Sequence, residues 1–306
     1  YYLKDSTTNT FKIASGMDDI IELDYTNDDM RNAMIDAMKF WVDECDIDGY
    51  RCDLASWVEV DFWLQARAEL EKTKTLFWLA ESDPLEKPTY YQAFDACYTW
   101  KWMHTTKEFY EGKLTLSFLI DSVLKKYDAA CGSEKIPLWF TTNHDENSWN
   151  GTEYEKYGDM AKALAVFSFT WNGMPMIYSG QELPNLKRLK FFDKDVIAWD
   201  GKYALQEFYK TLITLKKNNS ALRTADANVV TFLLATDNPN IIAYLRKNGN
   251  SEVLVLLNMS KQTIRFEIKD QHVTGKYKSI FGKAENDFTT EKFFEMQPWE
   301  YLIYEK

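Results

Sequence analysis

Three carboxylates each close a short apolar run: Asp53 ends GYRCD, Glu81 ends LFWLAE and Asp145 ends TTNHD. The first stands two positions after Arg51 and the last directly after His144. Side chains alternate along a strand, so Arg51 and Asp53 share one face of IDGYRCDLA while Tyr50 and Cys52 share the other. Two opposite charges on one strand face are either a structural salt bridge or the lip of a water-filled site, because burying them unpaired is costly. A single acidic residue at a strand end is ordinarily a helix cap or a solvated loop residue. Three at strand ends, one beside an arginine and one beside a histidine, point to chemistry. Two carboxyl groups across a pocket suit glycoside hydrolysis, where one attacks or stabilises an oxocarbenium-like centre and the other protonates the leaving oxygen. Their neighbours divide these roles: Arg51 favours an ionised Asp53, and the apolar LFWLA run favours a protonated Glu81.

Groups so far apart in sequence meet only if a fold gathers them, and the periodicity describes one. After a polar opening, TNDDMRNAMIDAMKFWVDE sets Met30, Met34, Ile35, Met38, Trp41 and Val42 at helical spacing behind Thr26 or Asn27 as N-cap. IDGYRCDLA reads as a strand, VEVDFWLQARAELEKTK as a helix and TLFWLAE as a strand, which makes a βαβ unit with parallel strands. AFDACYTW, PLWFTTNHD and GMPMIYSGQE add strands; TLSFLIDSVLKKYDAA, GDMAKALAVFSFTW and YALQEFYKTLITLKKNN add helices. In a parallel barrel every strand's C-terminal end faces one rim, which would bring the three carboxylates together. From about residue 225 the texture changes to VVTFLLA, IIAYLRK, EVLVLLN, TIRFEI and WEYLIY, with DNPN and NGNS among the turns between them. Such spacing predicts an antiparallel β-sandwich. The expected division is a partial (β/α)8 barrel over 1–224, about strands four to eight, and the sandwich over 225–306.

With 47 acidic against 36 basic residues the chain carries a net charge of −11, so nucleic acid and anionic membranes are poor partners and a neutral ligand is easier to accept. Aromatic residues make up 16%, including 11 Trp and 18 Tyr, and such rings stack on sugar faces as well as packing cores. Trp57, Trp149 and Tyr178, near strand ends, are open to either role. Cys45, Cys52, Cys97 and Cys131 show no CxxC spacing, which argues against zinc and against a disulfide framework. No apolar run reaches the length of a membrane span, and no signal peptide is visible in a chain that opens without methionine. His104 and His272 read as structural.

GYRCD, LFWLAE, FTTNHD and GMPMIYSGQE, in that order, resemble the conserved segments of the α-amylase family of retaining glycoside hydrolases, and the likeness covers nearly the whole chain. The resemblance implies that Asp53 is the nucleophile, Glu81 the acid and then the base, and Asp145 a third carboxylate holding sugar hydroxyls in the transition state. It implies that Arg51 positions and ionises Asp53 and that His144 hydrogen-bonds the same sugar. From position alone, Asn143 and Glu146 beside NHD read as loop caps or as contacts to sugar hydroxyls, and Trp57 and Tyr178 as sugar-stacking or packing residues. The substrate would be an α-1,4-glucan such as starch or a maltooligosaccharide. The pattern also departs from the family: five strands stand where a full barrel needs eight, the family's early strand ending in Asp has no counterpart, and Ser56-Trp57 replaces a common Lys-His. The chain therefore reads as the C-terminal part of a larger enzyme, inactive alone, whose open sheet edges a missing N-terminal half or a second copy would cover. The resemblance leaves the family's calcium to the complete protein and implies an incomplete site here, because part of that site lies in the missing region and IIELDYTND offers Glu22 and Asp24 to an ion that takes about six to eight oxygens. The alternative is a non-catalytic or fragmentary amylase-like protein that binds glucan or a partner. An extracellular or periplasmic setting is favoured over a cytoplasmic one.

Overall fold

A computed structural model describes every residue of the chain except Ser15 and Lys283. The chain forms two compact units, Tyr1–Tyr98 and Thr99–Lys306.

In the first unit, residues before 24 make isolated antiparallel bridges, Tyr2 with Leu23, Lys4 with Phe11 and Ile13 with Ile21. Helix α1 (Asp28–Cys45) starts on Asn27, whose side chain accepts from Met30 N at 3.0 Å, and carries Asp28 and Asp29 where the helix dipole favours anions. It buries Met30, Ile35 and Val42. Helical spacing also predicts Trp41 on that face, yet it stands 53% exposed. Its ring meets that of Phe40, itself exposed, edge to face at 5.4 Å, while Arg31 in the first turns of α1 pairs with Asp61 of α2 (Val60–Leu70) at 2.9 Å.

Strands β1 (Gly49–Cys52), β2 (Phe77–Ala80) and β3 (Ala96–Tyr98) are parallel, with Cys52 opposite Ala80 and Ala80 opposite Cys97. Gly49 is required here, because a Cβ would lie 2.0 Å from Phe77 O. Behind the strands Phe62, Trp63, Trp78 and Phe94 pack edge to face, with ring centroids 5.2 to 6.3 Å apart.

The second unit begins with α3 (Trp100–Tyr110), α4 (Leu116–Leu119), a π-helical turn at Ile120–Leu124 and α5 (Lys125–Cys131). Strand β4 (Ile136–Trp139) leads to α6 (His144–Trp149), α7 (Glu153–Tyr157) and α8 (Met160–Thr170), and β5 (Met174–Pro175) leads to α9 (Gln206–Asn218). β4 and β5 pair in parallel. Fully buried Trp139 anchors this half, its ring meeting those of Trp102, Tyr127 and Phe167 at 5.2 to 5.6 Å.

The β-propensity of FTT carries the predicted fourth strand through Asp145, but β4 ends at Trp139 and NHD opens a helix instead. Helix α3 has no counterpart in the sequence-based expectation, because its Trp, Thr and Phe residues are weak helix formers.

Among the described residues, eight antiparallel strands close the chain: β6 (Val230–Leu233), β7 (Ile241–Asn248), β8 (Ser251–Asn258), β9 (Ile264–Glu267), β10 (Lys276–Ser279), β11 (Glu285–Asp287), β12 (Phe293–Met296) and β13 (Tyr301–Glu305). A sheet ordered β11-β10-β13-β8-β7-β6 faces the pair β12-β9 across a core that includes Leu245, Leu254, Leu256, Phe266, Phe294 and Met296. The charged, short strands β10 to β12 alternate over too few residues to be read from pattern. The architecture is a partial (β/α)8 barrel followed by an antiparallel β-sandwich, as the sequence predicts.

Candidate active site

Strand register assembles the first group. With Cys52 opposite Ala80, the next residues Asp53 and Glu81 leave β1 and β2 side by side, and Glu81 N donates to Cys52 O at 3.0 Å. Arg51 lies between them. Its Nη1 pairs with Asp53 Oδ1, and its Nη2 stands 2.8 Å from Glu81 Oε1 without the alignment of a hydrogen bond. Its Nε donates to Tyr98 OH at 3.4 Å, and the guanidinium lies over the Tyr98 ring. The chain then turns through Leu54 in left-handed backbone at φ 43°, a strain of about 1–3 kcal/mol, and Leu54 N donates to Glu81 Oε2 at 2.8 Å.

The two carboxyls differ in surroundings: the Asp53 side chain is 70% exposed and that of Glu81 8%. Burial pushes the Glu81 carboxyl above the usual range; Leu54 N–H and Arg51 oppose this, Asp53 adds to it, and the net shift is upward. The result is an exposed carboxylate against a guanidinium, with a shielded carboxyl that favours its proton one strand away. The sequence assigned Arg51 to Asp53 alone; the in-register pairing of β1 and β2 makes it common to both. Tyr98 was missed, although it closes the next parallel strand at the level of Glu81, the signal that picked out the carboxylates. Trp57 ends a 3-10 turn and is half-exposed.

The second group belongs to the second unit. Asn143 is buried, and its Oδ1 accepts from Asp145 N at 3.0 Å and Glu146 N at 2.7 Å, so it caps α6; its Nδ2 has no hydrogen-bond partner among the described residues. His144 and Asp145 occupy the first turn of α6, partly exposed, with Nε2 3.3 Å from Oδ2. Tyr178 follows β5 in a turn, and its phenol is pushed up by burial and then by the charge of Asp145.

Behind these residues lies a buried polar layer. Glu146 pairs with Lys156 at 3.3 Å, and Glu153 Oε2 accepts from Thr141 Oγ1 at 2.7 Å and from Gln181 Nε2 at 2.8 Å. Gln181 Oε1 in turn accepts from Tyr178 N at 2.6 Å, so the layer holds the Tyr178 turn. Of these residues the sequence singles out only Glu146, as a loop cap or a sugar contact, and the structure buries it against Lys156. The TEYE capping box, in which Thr152 and Glu155 exchange hydrogen bonds, was the available sign of a helix there.

The segment weighed for calcium, IIELDYTND, contributes Glu22 and Asp24. Asp24 Oδ1 is taken up by Thr26 N at 3.0 Å and Thr26 Oγ1 at 2.6 Å, and among the described residues no group of three or more His, Cys, Asp or Glu is placed to hold a metal ion. No described helix is long and apolar enough to cross a membrane.

The described residues thus combine parallel β/α units, with an arginine and two carboxyls at adjoining strand ends, and an antiparallel sandwich. The family model for the alpha amylase catalytic domain matches residues 2–226, and that for the maltogenic amylase C-terminal domain matches residues 230–303. The chain belongs to the α-amylase family. It is 26% identical over 262 residues to a cyclomaltodextrinase of Geobacillus thermopakistaniensis, covering 79% of this chain and 42% of that protein. It is 23% identical over 282 residues to alpha-amylase 2 of Dictyoglomus thermophilum, covering 87% and 48%. The chain thus spans less than half the length of these relatives. A maltogenic α-amylase from Thermotoga neapolitana superposes with a TM-score of 0.86 at 26% identity, over all of this chain and 71% of that one. An α-amylase from Lactobacillus plantarum, at 22% identity with a TM-score of 0.82, covers all of this chain and 72% of its own and shares the fold.

Proposed function

We propose that the protein carrying this chain hydrolyses α-1,4-glucans, linear or cyclic maltodextrins among them, with retention at the anomeric carbon. The observation that carries this reading is the Arg51 bridge between exposed Asp53 and shielded Glu81, two carboxyls whose surroundings suit opposite tasks. Asp53 attacks the anomeric carbon while the Glu81 proton passes to the leaving oxygen as the glycosidic bond breaks. Glu81, now ionised, takes a proton from the water that displaces Asp53 and returns to its starting state. Arg51 faces both carboxyls, so it balances Asp53 before attack and Glu81 while Asp53 is esterified. Asp145 and His144 hold sugar hydroxyls, and Trp57 and Tyr178 offer ring faces to the substrate. The name of the Geobacillus relative supports a maltodextrin as substrate.

The test is Asp53→Asn in the full-length protein. Release of reducing sugar from maltooligosaccharides is expected to fall by about a thousandfold or more while calorimetric binding of the same sugars persists. A variant that keeps more than about a tenth of the wild-type rate rules Asp53 out as nucleophile.

A further inference from the structure

An exposed aromatic rim stands one helical turn from Asp145. Trp149, the last residue of α6, meets Phe191 at 5.0 Å and Phe192 at 5.9 Å between ring centroids, and the two phenylalanines meet at 4.9 Å. Trp149 is 55% and Phe192 84% exposed. Contiguous apolar surface held in water marks an interaction site. The three rings line a cavity of about 420 Å³ together with Arg188, Lys190 and Asp193, within the range of small-ligand sites of about 300–1,000 Å³.

The rim is held in place by polar groups behind it. Asn147, two residues before Trp149, accepts from Leu189 N at 2.8 Å and donates to Lys187 O at 3.2 Å, which ties α6 to the segment carrying both phenylalanines. Arg188 Nε reaches Glu155 at 3.0 Å, and Asp195 accepts from Lys190 N at 3.1 Å and Val196 N at 2.9 Å. The rings are therefore positioned without being covered, which lowers the ordering cost of a ligand that stacks on them.

The chemistry selects a sugar chain. Flat apolar ring faces match the C–H faces of a pyranose, while Lys190 and Asp193, an exposed ion pair at 3.5 Å, supply a donor and an acceptor for hydroxyls with no net charge. Asp145 and Trp149 are four residues apart on one helix, about 6 Å along its axis. We propose that Trp149, Phe191 and Phe192 form a distal glucosyl platform, which takes a sugar unit of the same α-glucan that reaches Asp145 and so favours longer chains. This rests on the glucan reading above.

The experiment measures calorimetric binding of maltotriose and maltoheptaose to the full-length Asp53→Asn protein, in which the ligand is not consumed. Adding Phe192→Ala is expected to weaken maltoheptaose binding about tenfold and maltotriose binding less, with Phe192→Tyr restoring most of the loss. Phe192 is so exposed that the change leaves the fold intact. Maltoheptaose affinity within about twofold of the parent, equal losses for both sugars, or no binding by the parent overturns the platform. Binding is read without turnover, so a parent that binds with no Phe192 effect overturns the platform alone, a parent that does not bind overturns the glucan reading with it, and an inactive protein that still binds through Phe192 leaves the platform standing.

Discussion

Arg51 touches two carboxyls at once, and its removal should be felt through Glu81, the one whose ionised form burial disfavours. Burial raises the Glu81 carboxyl and the guanidinium draws it back down. Without the cation the ionised form loses its partner, so Glu81 holds its proton to higher pH. If Glu81 is the acid, the alkaline limb of kcat/KM reports its ionisation and should move upward in Arg51→Met at reduced overall rate. A limb that stays in place or moves down, measured across a pH series on maltooligosaccharides, would separate Glu81 from the acid role. Asp53 and Arg51 were legible as a pair from their spacing alone. That Glu81 shares the arginine was not, because no local pattern encodes the register between β1 and β2.

At the scale of elements, α6 shows how a short helix positions its first turn. Asn143 gives its side-chain oxygen to two otherwise unpaired amides, one of them that of Asp145. Replacing it with Ala should cost about 1 kcal/mol of stability, within roughly 0.5–2, read from urea unfolding midpoints. An Asn143→Ala protein as stable as the wild type would show that the cap contributes nothing. The apolar run IPLWFTT and its β-branched threonines hid this helix start. Asn143 followed three residues later by Glu146 was the capping signature within it.

At the scale of the whole molecule, a chain of net charge −11 buries two basic side chains near each other, Arg246 and Lys216. Arg246 on β7 is buried, donating to Ala221 O, Thr231 Oγ1 and Arg223 O, and burial pushes it down to about 10. Lys216 on α9 donates to Gly173 O at 2.8 Å, and burial, then the charge of Arg246, pushes it down to about 7 from an ordinary 10.5. Between about 7 and 10.5 the unfolded chain holds the proton that the folded one has released, so stability from this group rises with pH across that window. It is fully present above the upper value and lost as pH falls through the lower. Lys216→Met removes the group, so its Tm relative to wild type should climb as pH is lowered from about 10 to about 7. A constant Tm difference over that range would mean that Lys216 is not held neutral.

The alternation of strand and helix, the order of GYRCD, LFWLAE, TTNHD and GMPMIYSGQE, and the change to antiparallel texture near residue 225 were all readable in the chain. Each depends on periodicity or composition within a dozen or so neighbours, where side-chain direction follows backbone geometry. Tertiary structure alone decided that Arg51 serves both Asp53 and Glu81, that Leu54 takes left-handed backbone beside them, and that Lys156 and Glu146 lie buried as a pair. It also brought Phe191 and Phe192 onto Trp149 and Lys216 beneath Gly173. These contacts join residues remote in sequence, and their partners are chosen by strand register, close packing and the need to satisfy buried polar groups, none of which leaves a local period to read.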